Sequence, residues 1–229
     1  MRPTSRLRAL LPELLAFVLA ATCAGCGSPA TVLCDPCRRC VRPVPIELRT
    51  PEGLPVHAAL SFESVAARCI RRLKDGGETV LARPLGRALA TAVDAALLQS
   101  ACSMRDVLIV PVPTSRTAFR RRGYRVPELL IRRAGGLPHR ALVQRARGDQ
   151  RGLDAARRAS NVRGTMRARW SGDGRRVVLV DDVMTTGATL DEAAAVLQRA
   201  NHIVIAAVVL AATPRHSERM MNASGTRSK

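Results

Sequence analysis

The most constraining stretch of this chain is Arg176-Val177-Val178-Leu179-Val180-Asp181-Asp182, an apolar run without polar alternation that ends in two adjacent acids. A strand that is apolar at odd and even positions alike must be covered on both faces, as in a parallel sheet between helices. Two carboxylates would be costly in such an interior, so they predict the point where the strand emerges. Val183-Met184-Thr185-Thr186-Gly187-Ala188-Thr189 follows. Leu190, Ala193, Ala194 and Leu197 then take helical spacing, with Asp191 and Glu192 in the first turn, where the helix dipole favours acids. A hydroxyl-rich loop opening a helix offers unpaired N–H donors, and Gly187 lets the backbone approach an anion closely. The two acids cannot bind that anion; they suit sugar hydroxyls, or a divalent cation held through oxygen or water. A phosphate and a diol within one turn of each other describe a ribose 5-phosphate. The alternative is a plain strand–turn–helix with solvated acids and capping threonines.

VVLVDDVMTTGAT resembles the phosphoribosyl-pyrophosphate (PRPP) motif of type I phosphoribosyltransferases. The chain as a whole, over roughly residues 8 to 213, resembles the ComF family of competence-associated phosphoribosyltransferase-like proteins. The resemblance implies an α/β fold, a type I phosphoribosyltransferase-like parallel sheet flanked by helices. It also implies Mg2+-assisted displacement of pyrophosphate from PRPP by an acceptor, the alternative being a non-catalytic PRPP- or nucleotide-sensing protein that handles DNA in competence, uptake or repair. Asp181 and Asp182 would hold the ribose hydroxyls, with Val183, Met184, Thr185, Thr186, Gly187, Ala188 and Thr189 forming the 5-phosphate loop. Lys74, in Lys74-Asp75-Gly76-Gly77, matches the family's LK-x-x-G position and would reach a phosphate. Strand Arg105–Val110 opens into a proline-stiffened loop whose Pro113, Thr114, Ser115 and Arg116 match the pyrophosphate-binding loop. Arg120-Arg121-Arg122-Gly123-Tyr124 resembles the family's RRGFNQ segment, with Arg125 and Val126 replacing Asn-Gln. Physically, Arg121, Arg122, Gly123 and Tyr124 suit a flexible hood of bidentate phosphate donors around a glycine hinge. Gly148–Val162 matches the family's Q-x-x-L…R-x-x-N-V region. No side chain stands out as a general base, and the acceptor is not readable.

Cys23-x2-Cys26-x7-Cys34-x2-Cys37 supplies two chelating pairs, and Cys40 repeats the spacing. Two such knuckles complete a structural four-sulfur zinc site. Disulfides or a redox CxxC are the alternatives, and the fourth ligand is Cys37 or Cys40; the family pattern favours Cys37. Such a module would be folded by its metal, having almost no core of its own.

The net charge is +19, carried almost wholly by arginine, since Lys74 and Lys229 are the only lysines. Between Ser115 and Arg176, 18 arginines face 4 acids. A block that basic points to a polyanion, either pyrophosphate or nucleic acid, or else to a solubilising face. Aromatics are 2% of the chain, so contact with single-stranded DNA would be mainly electrostatic and salt-sensitive. A DNA-processing protein is the other partner class.

The expected organisation is an amphipathic helix over 1–22, a zinc knuckle over 23–40 and a proline-rich linker or irregular strand over 41–55. A phosphoribosyltransferase-like domain over 56–213 and a polar tail over 214–229 follow. Within the domain, strands are expected at Val56–Phe62, Ala141–Arg145 and His202–Ala212, and helices at Glu63–Leu73, Leu81–Gln99 and Val126–Ala134. Arg2, Arg6 and Arg8 before Leu14–Thr22 imitate a secretory leader ending at a lipoprotein-type cysteine. Pro12 and Glu13 shorten its apolar run, and Cys23 belongs to the CxxC series. The expectation is therefore a packed helix in a cytoplasmic protein without an integral membrane span, an exported lipoprotein being the alternative.

Overall fold

The computed structural model describes residues 21–145 and 164–214. The expected N-terminal helix, the Q-x-x-L…N-V region and the tail beyond Pro214 lie outside the described residues. A short helix α1 (Asp35–Cys40) leads to strands β1 (Ile46–Arg49) and β2 (Pro55–Ser61), then helix α2 (Ser64–Lys74). A 3-10 turn (Thr79–Leu81) and α3 (Ala82–Gln99) follow, then β3 (Val107–Pro111), α4 (Arg116–Arg122) and α5 (Val126–Arg133). The chain continues through β4 (Leu142–Gln144), β5 (Met166–Ala168), β6 (Arg176–Met184), α6 (Ala188–Arg199) and β7 (Ile203–Ala212).

The main sheet has the order β1-β2-β7-β6-β3, with β2, β7, β6 and β3 parallel and β1 antiparallel at one edge. Val177–Val180 are completely buried, as an apolar run on a two-sided sheet requires. Alternation along the strands divides the core in two. One face carries Val178, Val180, Val208 and Leu210 against Ile70 and Leu73 of α2, Leu85 and Leu89 of α3, and Leu130 of α5. Cys23, Ala24, Leu33, Cys37 and Val41 belong to this same cluster, so the cysteine module shares its core with α2 and α3. The other face carries Val177, Leu179 and Val209 against Leu190, Ala193 and Leu197 of α6. There a two-stranded antiparallel ribbon, β4–β5, contributes Leu142 and Met166.

Two segments depart from the sequence reading, and a third takes one of its alternatives. The stretch expected as a linker or irregular strand holds β1, whose alternate burial and Ile46↔Ala58 to Arg49↔Pro55 pairing make it an edge strand. The arginine segment expected as a flexible hood is the last turn of α4, capped by Ser115 Oγ accepting the Ala118 N–H at 3.1 Å. Gly123 ends that helix at φ 78°, a conformation that glycine adopts without steric cost. Strand β6 does not stop at the acids; it runs through them to Met184, paired with Ala212 of β7.

Candidate functional site

Parallel strands deliver their following loops to one edge, and β3 and β6 are neighbours in register from Val107↔Arg176 to Pro111↔Val180. Val112 extends that pairing, its N–H donating to Val180 O at 2.8 Å. Pro113, Thr114, Ser115 and Arg116 therefore leave the sheet beside Asp181 and Asp182. In sheets of this kind ligands sit at the carboxyl ends of the strands.

Asp182 lies on the α2 side, only 8% exposed, with Lys74 Nζ donating to its Oδ1 at 3.0 Å. That partner explains how a carboxylate is tolerated inside the strand, and it leaves the second oxygen of Asp182 open to a hydroxyl donor. The structure thus places the Lys74 ammonium, expected to reach a phosphate, on an acid of the same strand end. Asp181 accepts the Asp182 N–H at 2.8 Å. Burial and then the neighbouring Asp182 carboxylate push Asp181 up to about 8, against the pull of that N–H and of Lys74.

This shift has a stability consequence. At about pH 3 and below, Asp181 is protonated in both states and costs the fold almost nothing. As pH rises towards 8 the unfolded chain ionises first, so stability is lost over that window. Asp181→Asn should leave the melting temperature at about pH 3 nearly unchanged and raise it at pH 8. Because Asp181 keeps some exposure, we expect ~2 kcal/mol rather than the full value of the shift, or about 4–8 °C. Calorimetric melting at the two pH values checks this; equal melting temperatures at pH 8 would refute it.

Thr185 and Thr186 are exposed at the start of α6, and Gly187 takes φ 88° as its N-cap. No side chain caps this helix closely; Thr186 Oγ1 meets the Ala188 N–H only at 3.4 Å. The first-turn donors are thus available to an anion. A Cβ at Gly187 would lie 3.3 Å from the Thr50 backbone, so the residue is also pressed against the β1–β2 turn. Val183 and Met184 remain in the strand, Met184 buried in the core. Ala188 and Thr189 open α6.

The arginine segment docks on the end of α2. Asp75 Oδ1 accepts from Arg121 at 2.7 Å and from Arg122 at 3.4 Å, and the Tyr124 hydroxyl donates to Leu73 O. Arg122 is largely buried, and its Nε has no partner among the described residues. Arg125 lies over the Phe119 ring at 4.1 Å and meets Glu128 at 3.6 Å. Sequence reasoning missed these contacts because Asp75 and Arg121 are 46 residues apart, and Lys74 and Asp182 are 108 apart.

The sulfur atoms of Cys23, Cys26, Cys34 and Cys37 lie within 4.8 Å of one another, with Cys23–Cys34 and Cys26–Cys34 at 3.6 Å. Tetrahedral zinc–thiolate bonds of about 2.3 Å require sulfurs about 3.8 Å apart, so the set fits a zinc ion. Cys40 is exposed and outside the cluster, which makes Cys37 the fourth candidate ligand. Each half has a local cause. Gly27 turns the first pair at φ 83°, and a Cβ on Gly25 would meet Cys37 Sγ at 2.5 Å. Cys34 is the N-cap of α1 and Cys37 sits in its first turns. Burial alone would raise the Cys23 thiol, but N–H donors led by Cys34 prevail and bring it down to about 6. Burial pushes Cys37 up. Helix α2 grips this module from outside: Arg68 Nε donates to Gly25 O, and Arg72 to Cys23 O at 3.2 Å.

Sequence comparison places these features among known proteins. A profile described as "Phosphoribosyl transferase domain" matches residues 120–226. The chain is 30% identical over 183 residues to DNA utilization protein YhgH of Escherichia coli (strain K12), covering 77% of this chain and 78% of that protein. It is 28% identical over 186 residues to competence protein F of Haemophilus influenzae, with the same shares covered. Among solved structures, an adenine phosphoribosyltransferase aligns over 80% of this chain and 94% of its own length, at 13% identity and a TM-score of 0.38. That superposition is too loose to add to the family match. No helix among the described residues is long and apolar enough to cross a membrane.

Proposed function

Because this chain belongs to the ComF family, with the type I phosphoribosyltransferase fold, we propose that it binds PRPP with Mg2+ where β3 and β6 end, as part of a DNA-handling protein. The observation that carries this reading is the juxtaposition on neighbouring parallel strands of the Pro113–Arg116 loop and the Asp181–Thr189 stretch. In that reading the uncapped start of α6, with Thr185, Thr186 and Gly187, takes the 5-phosphate. The free oxygen of Asp182, with Asp181, takes the ribose hydroxyls. Backbone donors of the loop after β3, with Arg116, face the pyrophosphate. Magnesium would neutralise the pyrophosphate charge and make it a better leaving group. The residues of the chain would bind, orient and exclude water, which suits a reaction governed by positioning and charge.

Binding without turnover is the second reading. Arg125, standing where the family carries an amide side chain, is engaged with Phe119 and Glu128. The names of the relatives, utilisation of DNA and competence, support the DNA-handling setting for either reading. Titration calorimetry with Mg-PRPP tests the site: wild type should bind in the micromolar range, and Asp181→Asn/Asp182→Asn should lose the heat. Equal heats for both proteins would overturn the assignment. Release of pyrophosphate on addition of a base or amine separates transfer from binding.

A further inference from the structure

The basic block contains more arginine than the site above can use, and the structure separates the engaged side chains from the free ones. Arg121 and Arg122 are held by Asp75, and Arg140 by Glu128 at 2.6 Å. Arg125 lies on Phe119, and Arg176 donates to Cys102 Sγ. Arg145, Arg167 and Arg169 have no acid partner among the described residues, and all three are exposed. Glu128, the one buried acid of the block among the described residues, is already taken.

These three arginines share one surface. In the β4–β5 ribbon, Leu142, Met166 and Ala168 face the core, so Val143 and Arg167, which pair across the strands, face outward. Arg145, whose N–H donates to Thr165 O, lies diagonally beyond Arg167, and Arg169, whose N–H donates to Ala141 O, is exposed in the bend that directly follows β5. Alternate residues on one face are about 7 Å apart, and diagonal neighbours about 7–8 Å. The result is a row of three guanidinium groups, none with an acid partner among the described residues, along the ribbon and the bend that ends it. Trp170 follows Arg169 directly and is 48% exposed. The other two aromatics of the block are engaged, Phe119 beneath Arg125 and Tyr124 on Leu73 O.

We propose that the outer face of the β4–β5 ribbon, with Trp170 at its end, binds single-stranded nucleic acid. The arginine row follows consecutive phosphates and the indole stacks on a base. A free strand is the partner that fits both parts, because in a duplex the bases are already stacked and offer the indole no face. The ribbon is also only three residues long per strand, roughly 10 Å, too short to follow both backbones of a duplex. A lipid surface fits less well: Val143, the ribbon's only other outward apolar side chain, is half-buried, so the indole has no second anchor. The inference is independent of PRPP binding, since none of these four residues belongs to that site.

Trp170 is the only tryptophan in the chain, so its fluorescence reports on the surface directly. The full-length, zinc-loaded protein is titrated with oligo(dT) of about 20 nucleotides over a range of salt. We expect saturable quenching, with log affinity falling against log salt at a slope of about −2 for three phosphates. Arg145→Gln/Arg167→Gln/Arg169→Gln should weaken binding at least tenfold at low salt and remove most of that slope. The same three positions as lysine should keep the slope. Trp170→Leu, followed by anisotropy of a labelled oligonucleotide, should weaken binding about tenfold with the slope unchanged. Melting temperature and zinc content serve as folding controls. The proposal is overturned if oligo(dT) fails to quench, or if the glutamine variant binds like wild type. It is also overturned if duplex of equal length or anionic vesicles bind as tightly as the single strand.

Discussion

Replacing Cys37 with serine, or stripping the metal with a chelator, should lower the melting temperature by about 10 °C or more, while Cys40→Ser should leave it unchanged. Zinc bound to a structural site contributes folding energy outright, on the order of 10 kcal/mol in small metal-folded modules. The loss in this chain is smaller because α2 and α3 fold on the sheet without the metal. Cys23 and Cys37 are buried, and Ala24, Leu33 and Val41 pack into the cluster that α2 and α3 build with the sheet. When the thiols no longer converge, those side chains lose their register and expose the flank of that cluster. Serine at position 37 also leaves a polar group at a site that is 4% exposed. Metal analysis should give one zinc per chain in wild type and in Cys40→Ser, and substantially less in Cys37→Ser. Full zinc retention by Cys37→Ser, or an equal response of the two variants, would remove the four-sulfur assignment.

Lys74→Met should destabilise the protein by ~2 kcal/mol, and adding Asp182→Asn should restore most of that loss. The single variant leaves the Asp182 carboxylate inside the sheet without its cation, beside a second acid. Breaking one side of a buried pair costs about 3–5 kcal/mol. The Lys74 side chain is 28% exposed, so water compensates in part. The double variant has no charge left to compensate. Urea unfolding of wild type, both single variants and the double variant gives the coupling directly. A coupling below about 0.3 kcal/mol would mean that the 3.0 Å contact carries no stability. Lys74→Met should also push Asp181 further up, because Lys74 is one of the groups holding it down.

The elements that could be read from sequence were those whose burial is written in local pattern. Val177–Val180 and Ile203–Ala212 are apolar at every position, and helix α3 repeats its apolar residues at helical spacing. The cysteine spacing announced the convergence of four sulfurs, and in the fold Cys37 rather than Cys40 lies with the other three. What was not legible depends on partners far along the chain. The acids suggested a strand end because an unpaired carboxylate is costly in a core; Lys74, from a different helix, removes that cost for Asp182. Helix α4 was hidden by its arginines, although Ser115 at its start and Gly123 after its end are ordinary boundary signals. Strand β1 was masked by the prolines around it, yet Ile46 and Leu48 alternate with Glu47 and Arg49 as an edge strand should.

Helix α2 touches both remote chemistries. Its Arg68 and Arg72 hold the backbone of the first cysteine pair, and its last residues meet Tyr124, Asp182 and, through Asp75 just beyond, Arg121 and Arg122. Eleven residues make a rod about 16 Å long, stiff enough that one end cannot tilt without the other. A displacement of the cysteine end of this rod would therefore be carried to its other end, where Lys74 meets Asp182.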